Sequence, residues 1–219
     1  MRRNAEDTGD GMASTMDDRE CVGRYLAGDV SAMEVLVHRH ENALFGFIRG
    51  LVQDASEADD VFQETWTKAI RHLHKYRSDN FRGWLIRIAH NVFIDRLRRR
   101  KPFLSMDTAA PDNQPLMASL PSPAPGPDSE TDSAELGARI ALAVAALPRE
   151  QREVFLMRAH GGLAFREIAR LQSTSINTAL SRMQYALKKL RQELKDDYTE
   201  LAGKAASAAG SMEESGDEL

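Results

Sequence analysis

Between positions 53 and 67 the sequence carries five acidic residues and no basic one: Asp54, Glu57, Asp59, Asp60 and Glu64. Clustered carboxylates can ligate a metal ion, work as an acid/base pair, or offer a negative face to a basic partner. The first two uses need ligand geometry, and no histidine stands at ligand spacing beside them. Docking is the preferred reading; a metal-dependent nuclease built on Asp54, Glu57, Asp59 and Asp60 is the rival. His38 with His40, and His72 with His74, are each two residues apart, so on a helix each pair points to opposite sides and reads as ordinary surface or packing histidines. Cys21 is the only cysteine, which excludes an intramolecular disulfide and a multi-thiolate metal site.

A second set lies further on. At 100° per residue, Trp84, Arg87, Asn91, Asp95 and Arg98 fall within about 80° of one another on a helix. This stripe combines an aromatic ring, hydrogen-bonding groups and cations, the means by which an unstacked base is held. Trp84 reads equally well as core packing. The third set follows the pattern of a helix-turn-helix: Phe165-Arg-Glu-Ile-Ala, a turn at Ser173 to Ser175, then a longer helix. Ile168, Ile176, Ala179, Met183 and Leu187 would form its shared core. Asn177, Thr178, Ser181, Arg182 and Gln184 would face a DNA groove, with Lys188 and Lys189 on phosphates. A helical hairpin with a solvated basic face is the alternative.

The elements needed to position these sets are all helical. Ala32 to Val52 has Val35, Leu36, Leu44, Phe45, Ile48 and Leu51 at helical spacing, as one helix or two. Ser56 can cap a helix through EADDVFQETWTKAIRHL, with acids in its first turn and bases toward its end. A helix from about Arg82 to Arg100 puts Leu85, Ile88, Ala89, Val92, Phe93 and Leu97 on its apolar half. Glu135 to Ala146 is an alanine-rich helix stopped by Leu147-Pro148. Helices over Glu150 to Arg158, Phe165 to Gln172 and Asn177 to Leu194 follow, with Gly161-Gly162 permitting a left-handed end to the first.

Between the two halves, Pro102 to Ser133 holds seven prolines and no apolar periodicity, which predicts a flexible linker. The chain of 219 residues, 42% hydrophobic and 28% charged, therefore divides into an N-terminal disordered segment over 1–19, a helical domain over 20–101, the linker over 102–134, a helix-turn-helix domain over 135–195 and an acidic disordered tail over 196–219. Its net charge of -4 conceals segregation. Residues 68–101 hold eleven Lys/Arg against two acids, and 149–195 hold ten against four. Two separate basic blocks are the footprint of a polyanion binder. No stretch has the roughly 18 apolar residues of a membrane helix, and the polar N-terminus lacks a signal-peptide core, which places the expected site of action in the cytoplasm with no membrane insertion.

Three blocks resemble a known family: ADDVFQETW at 58–66, FRGWLIRIAHNVFIDRLRRR at 81–100, and LPREQREVFLMR with FREIARLQSTSINTALSRMQYALKKLR at 147–191. In this order, separated by a linker, they look like a bacterial RNA polymerase sigma factor of the extracytoplasmic-function (ECF) class. The resemblance implies an all-α protein of two domains that binds core RNA polymerase, recognises the minus-35 and minus-10 promoter elements and opens the DNA. It further implies an anti-sigma factor as a partner, and neither cofactor, metal site nor catalytic residue. By the same resemblance Asp59, Asp60, Gln63 and Glu64 dock on the polymerase clamp, and Asn91 and Asp95, with Trp84, Arg87 and Arg98 beside them, take the minus-10 element. Two positions depart from the family pattern. Ser173 stands where the turn usually has glycine, a cost of about 1 kcal/mol at positive φ, and Leu180 stands where a basic residue is common. A plain DNA-binding regulator is the remaining rival, and the acidic stretch speaks against it.

Overall fold

The computed structural model describes residues 16–52, 54–104 and 129–195. Every regular element among them is helical. Residues 1–15 of the expected disordered N-terminal segment, the acidic tail and linker residues 105–128 lie outside the described residues, whereas Asp18 and Arg19, expected in that segment, and 102–104 and 129–134, expected in the linker, are helical.

The first unit has four α-helices. Helix α1 (Asp18–Leu26) starts where the Asp17 carboxylate accepts the Glu20 N–H at 2.7 Å. Helix α2 (Ser31–Leu51) is one continuous helix that buries Leu36, Leu44, Phe47, Ile48 and Leu51. Helix α3 (Ala55–His72) is capped by Asp54, whose side chain accepts the Glu57 N–H at 2.7 Å, and not by Ser56 as expected. An ionised carboxylate gains from the positive end of the helix dipole as well as from the hydrogen bond, so it outcompetes the hydroxyl two residues on. A 3₁₀ turn (Leu73–Lys75) leads to α4 (Phe81–Leu104), which continues through Pro102.

The second unit begins with α5 (Ser129–Ala145), several residues earlier than the expected start at Glu135. The prolines cease at Pro127, which removes the residues that would break a helix from this point on. Helix α6 (Arg149–Gly161) ends on Gly162 at φ 62°, the left-handed cap anticipated for the glycine pair. Helices α7 (Phe165–Leu171) and α8 (Ile176–Glu193) complete the unit. The last carbonyls of α5 are taken by cations: Arg152 donates to Ala145 O at 2.8 Å and Lys189 to Ala146 O at 2.7 Å. Positive charge there is also favoured by the dipole.

The units pack on each other. Helix α6 lies against both α2 and α4, and the buried residues of the two units form one continuous core. Close approach depends on glycine at Gly50, where an added Cβ would lie 2.7 Å from the Leu156 methyls, and at Gly161, where it would lie 3.2 Å from Ile86 Cγ2. Ile86, Leu156, Met157 and Leu163 are each at most 3% exposed. Burying one such aliphatic side chain contributes about 1.5–3 kcal/mol.

Candidate nucleic-acid interface

Helix α8 presents the clearest exposed polar face. Its buried line is Ala179, Ala186 and Leu190, and the opposite side exposes Asn177, Thr178, Ser181, Gln184 and Lys188. Ser175 caps it, accepting the Thr178 N–H at 3.0 Å. The Ser181 hydroxyl donates to the Asn177 carbonyl at 3.0 Å, which leaves its lone pairs outward. Ile176, expected in the shared core, is 42% exposed at the first position of the helix. Met183 and Leu187 are half-buried. The turn before α8 places Ser173 at φ 51°, the positive value that favours glycine.

Two predicted α8 contacts are engaged within the protein. Arg182 is half-buried and donates to Gln172 Oε1 at 2.7 Å. Lys189, expected on a phosphate, is the group that caps α5. Lys188 is exposed.

On α4 the predicted stripe divides. Asn91 and Arg98 are exposed and Asp95 is half-exposed. Trp84 is half-buried, its ring centroid 5.3 Å from that of Tyr76 and 5.5 Å from that of Phe81. Burial, with the charges of Asp18 and Asp79, pushes the Tyr76 hydroxyl up to about 12. Arg87 reaches across the units to Glu167 Oε1 at 3.1 Å, while the other oxygen of Glu167 accepts the Ala164 N–H at 3.0 Å.

The acidic set on α3 also divides. Asp59 and Gln63 are exposed and face outward. Asp60 and Glu64 pair with Arg96 of α4 at 3.3 and 2.9 Å, and Glu64 also meets Lys68 at 3.0 Å. Burial raises the Glu64 carboxyl, but Lys68 and Arg96 outweigh it and hold it below its usual range.

Sequence reasoning did not find the groups that join the units. His90 Nε2 lies 3.2 Å from Glu153 Oε2, with both side chains at least nine-tenths buried. Glu153 also accepts from Gln172 Nε2 at 3.1 Å and meets Arg149 at 3.5 Å. Burial pushes the Glu153 carboxyl up; the hydrogen bond and charge of His90, then Gln172 and Arg149, pull it down further. An ionised carboxylate only accepts, so Nε2 carries the proton in this contact. Asn80 adds a hydrogen bond to Gly161 O at 2.9 Å. The available signal was that Ile94, with His90 beside it, extends the apolar part of α4 past the half that Ile88 to Leu97 define, which marks a helix covered on two sides.

No group of three or more His, Cys, Asp or Glu able to hold a metal ion occurs among the described residues. Among them, too, no helix is long and apolar enough to cross a membrane.

Comparison with known proteins fits this architecture. The Sigma-70 region 2 family matches residues 36–103, and the Sigma-70, region 4 family matches residues 138–190. The RNA polymerase sigma-H factor of Pseudomonas aeruginosa is 31% identical over 179 residues, covering 78% of this chain and 91% of that protein. The ECF RNA polymerase sigma factor SigE of Mycolicibacterium smegmatis is 29% identical over 181 residues, covering 81% and 68%. Among solved structures, CnrH in complex with the cytosolic domain of CnrY superposes with a TM-score of 0.52 at 27% identity, covering 82% of this chain and 98% of that one. The sigma factor RpoE of Bartonella quintana, solved with the anti-sigma factor NepR, shares the fold with a TM-score of 0.56 at 22% identity over 76% of this chain and 98% of that one. The region 2 match thus takes in α2 from residue 36 through α4, the region 4 match takes in most of α5–α8, and the chain belongs to the ECF class of RNA polymerase sigma factors. It is an alternative sigma factor that directs transcription initiation with core RNA polymerase.

Proposed function

We propose that the two units divide the promoter between them, α8 reading the minus-35 element and α4 holding the melted minus-10 element, while α3 docks on core polymerase. The observation that carries this reading is the polar face of α8, where Asn177, Thr178, Ser181 and Gln184 stand exposed opposite the buried Ala179, Ala186 and Leu190. Amides and hydroxyls at these positions can pair with base edges in the major groove, and Lys188 with a phosphate. Arg182 joins them after exchanging Gln172 for a base. On α4, Asn91, Asp95 and Arg98 are open to a flipped base and its phosphates, with Arg87 available once it leaves Glu167. Trp84 supports that surface from beneath.

Asp59 and Gln63 give α3 its free docking contacts, and Asp60 and Glu64 contribute negative field while bound to Arg96. In this reading the protein makes and breaks no bond itself and works in the cytoplasm, where its polymerase is. An anti-sigma factor is a further partner. Its support is the groove of about 370 Å³ between α2, α5 and α6, bordered by Val52, Ile140, Leu142 and Phe155, together with the bound protein fragment in the CnrH structure.

Binding of Gln184→Ala and Ser181→Ala to a panel of minus-35 variants tests the division. Relaxed preference at one base position for each is expected. Unchanged preference in both variants contradicts the assignment of α8.

A further inference from the structure

Two large apolar side chains near the start of α8 take no part in the contacts described so far. Ile176 is 42% exposed and Leu180 is 38% exposed. Apolar residues scattered singly over a surface need no explanation, but these two are neighbours, four residues apart on one helix. At 100° per residue they belong to one stripe with Met183 and Leu187. Further along the helix that stripe is partly covered: Met183 and Leu187 are half-buried, and there α8 meets the end of α5 through Lys189. Over its first two turns the stripe is open.

The open part lies where a recognition helix meets base edges, since the N-terminal residues of such a helix enter the major groove. Leu180 stands about 40° round the axis from Gln184, with Asn177 and Ser181 following on the same side. The apolar pair therefore continues the exposed polar face of α8. Every base pair shows the major groove its hydrogen-bonding groups, and thymine alone adds a methyl group. A methyl set against Ile176 and Leu180 sheds water from both surfaces. The amino group of cytosine or adenine in the same place would lose its hydrogen bond to water and gain none.

We propose that Ile176 and Leu180 form an apolar contact for a thymine methyl in the minus-35 element, so that thymine is selected at the base position they face. The inference deepens the assignment of α8 proposed above and rests on it. It also gives the departure at Leu180 a consequence. An arginine there could pair with O6 and N7 of guanine, whereas leucine can pair with neither.

The test uses holoenzyme assembled from core polymerase and the full chain, on a promoter fragment that gives chain-dependent transcripts, with its minus-35 element randomised. The bound fraction should be enriched in thymine, on either strand, at one position or at two adjacent ones. Replacing that thymine by deoxyuridine removes the methyl and keeps O4 and the base pairing. Binding by the native chain should weaken about fourfold, the effect of losing one buried methyl group. In the double variant Ile176→Ala with Leu180→Ala the uracil penalty should disappear, while preference at the positions read by Asn177, Ser181 and Gln184 persists. Leu180→Arg should move the preferred base at that position to guanine. Tyr185, 63% exposed but about 140° round the helix from Leu180, supplies the control, and Tyr185→Ala should keep the full penalty.

Absence of thymine enrichment overturns the proposal, as does equal binding of the thymine and uracil promoters by the native chain. A uracil penalty that survives in the double variant assigns the methyl to another group and overturns it too. So does a Leu180→Arg chain that still selects thymine. In each of these cases the assignment of α8 stands if preference remains elsewhere in the element; a native chain with no preference anywhere in it removes that assignment and this inference together.

Discussion

Ser173 holds a backbone conformation, φ 51°, that glycine adopts without steric cost and serine does not. The turn between α7 and α8 is fixed around it, with the Ser173 N–H on Arg170 O at 3.2 Å and the Thr174 N–H on Ala169 O at 2.9 Å. Ser173→Gly should therefore raise stability by about 0.5–1 kcal/mol, read from the urea midpoint. A lowered midpoint would show that the serine stabilises the turn in a way its geometry does not reveal. At the same scale, Arg182 and Lys188 should fail differently. Arg182→Ala should cost about 1–3 kcal/mol and relax preference at one minus-35 position, whereas Lys188→Ala should weaken all sequences alike and shallow the salt dependence by about one unit. Equal weakening of every sequence by Arg182→Ala would reduce that residue to a positioning role. The serine, the exposed α8 amides and the left-handed Gly162 were all legible in the sequence, since each follows from local chain geometry. The engagement of Arg182 with Gln172, and of Lys189 with the end of α5, was not, because each partner comes from another element.

Among the elements, α3 and α4 act as a pair. Arg96 binds Asp60 and Glu64, so reversing those two acids disturbs the α3–α4 contact along with any docking surface. Asp59 and Gln63 separate the two effects. Asp59→Lys with Gln63→Lys should remove binding to core polymerase through like-charge contact, with a thermal midpoint close to native, as expected for exposed positions. Retained binding would move the docking surface elsewhere. Between α2 and α6, His160 packs over Gly46, where an added Cβ would lie 2.9 Å from its ring. Burial, and then the charge of Arg82, lowers the His160 pKa from 6.5. The neutral ring is thus the form that fits. Its contribution is complete above about pH 6.5 and is lost as the pH falls from there through the lowered value, because the unfolded chain binds the proton more readily. Stability measured from pH 8 to 5 should fall in that window for the native chain and less for His160→Asn. Identical profiles would remove His160 from the account. The helices from α2 onward were legible from periodicity and stop signals, whereas α1, which buries only Cys21 and Val22, is too short to show a period; the α3 cap was misplaced by two residues because Ser56 and Asp54 both satisfy the capping pattern and only charge at the dipole decides between them.

For the molecule as a whole, two helical units and the segregation of acidic from basic segments were readable, since both are properties of continuous stretches. How the units meet was not. His90 and Glu153 are 63 residues apart in sequence and joined by a proline-rich segment that carries no register. A buried histidine on α4 and a buried glutamate on α6 each look like an ordinary polar residue until their partner is known. On the proposed division, the assembled molecule directs core polymerase to promoters read at two separated elements. The most direct test of that division is run-off transcription by purified core polymerase, with and without this chain, on a pool of genomic fragments. New transcripts are expected only when the chain is present, starting a fixed distance downstream of two shared sequence elements with a constant spacer. The same transcripts with core polymerase alone, or no shared elements upstream of those that depend on the chain, would contradict it.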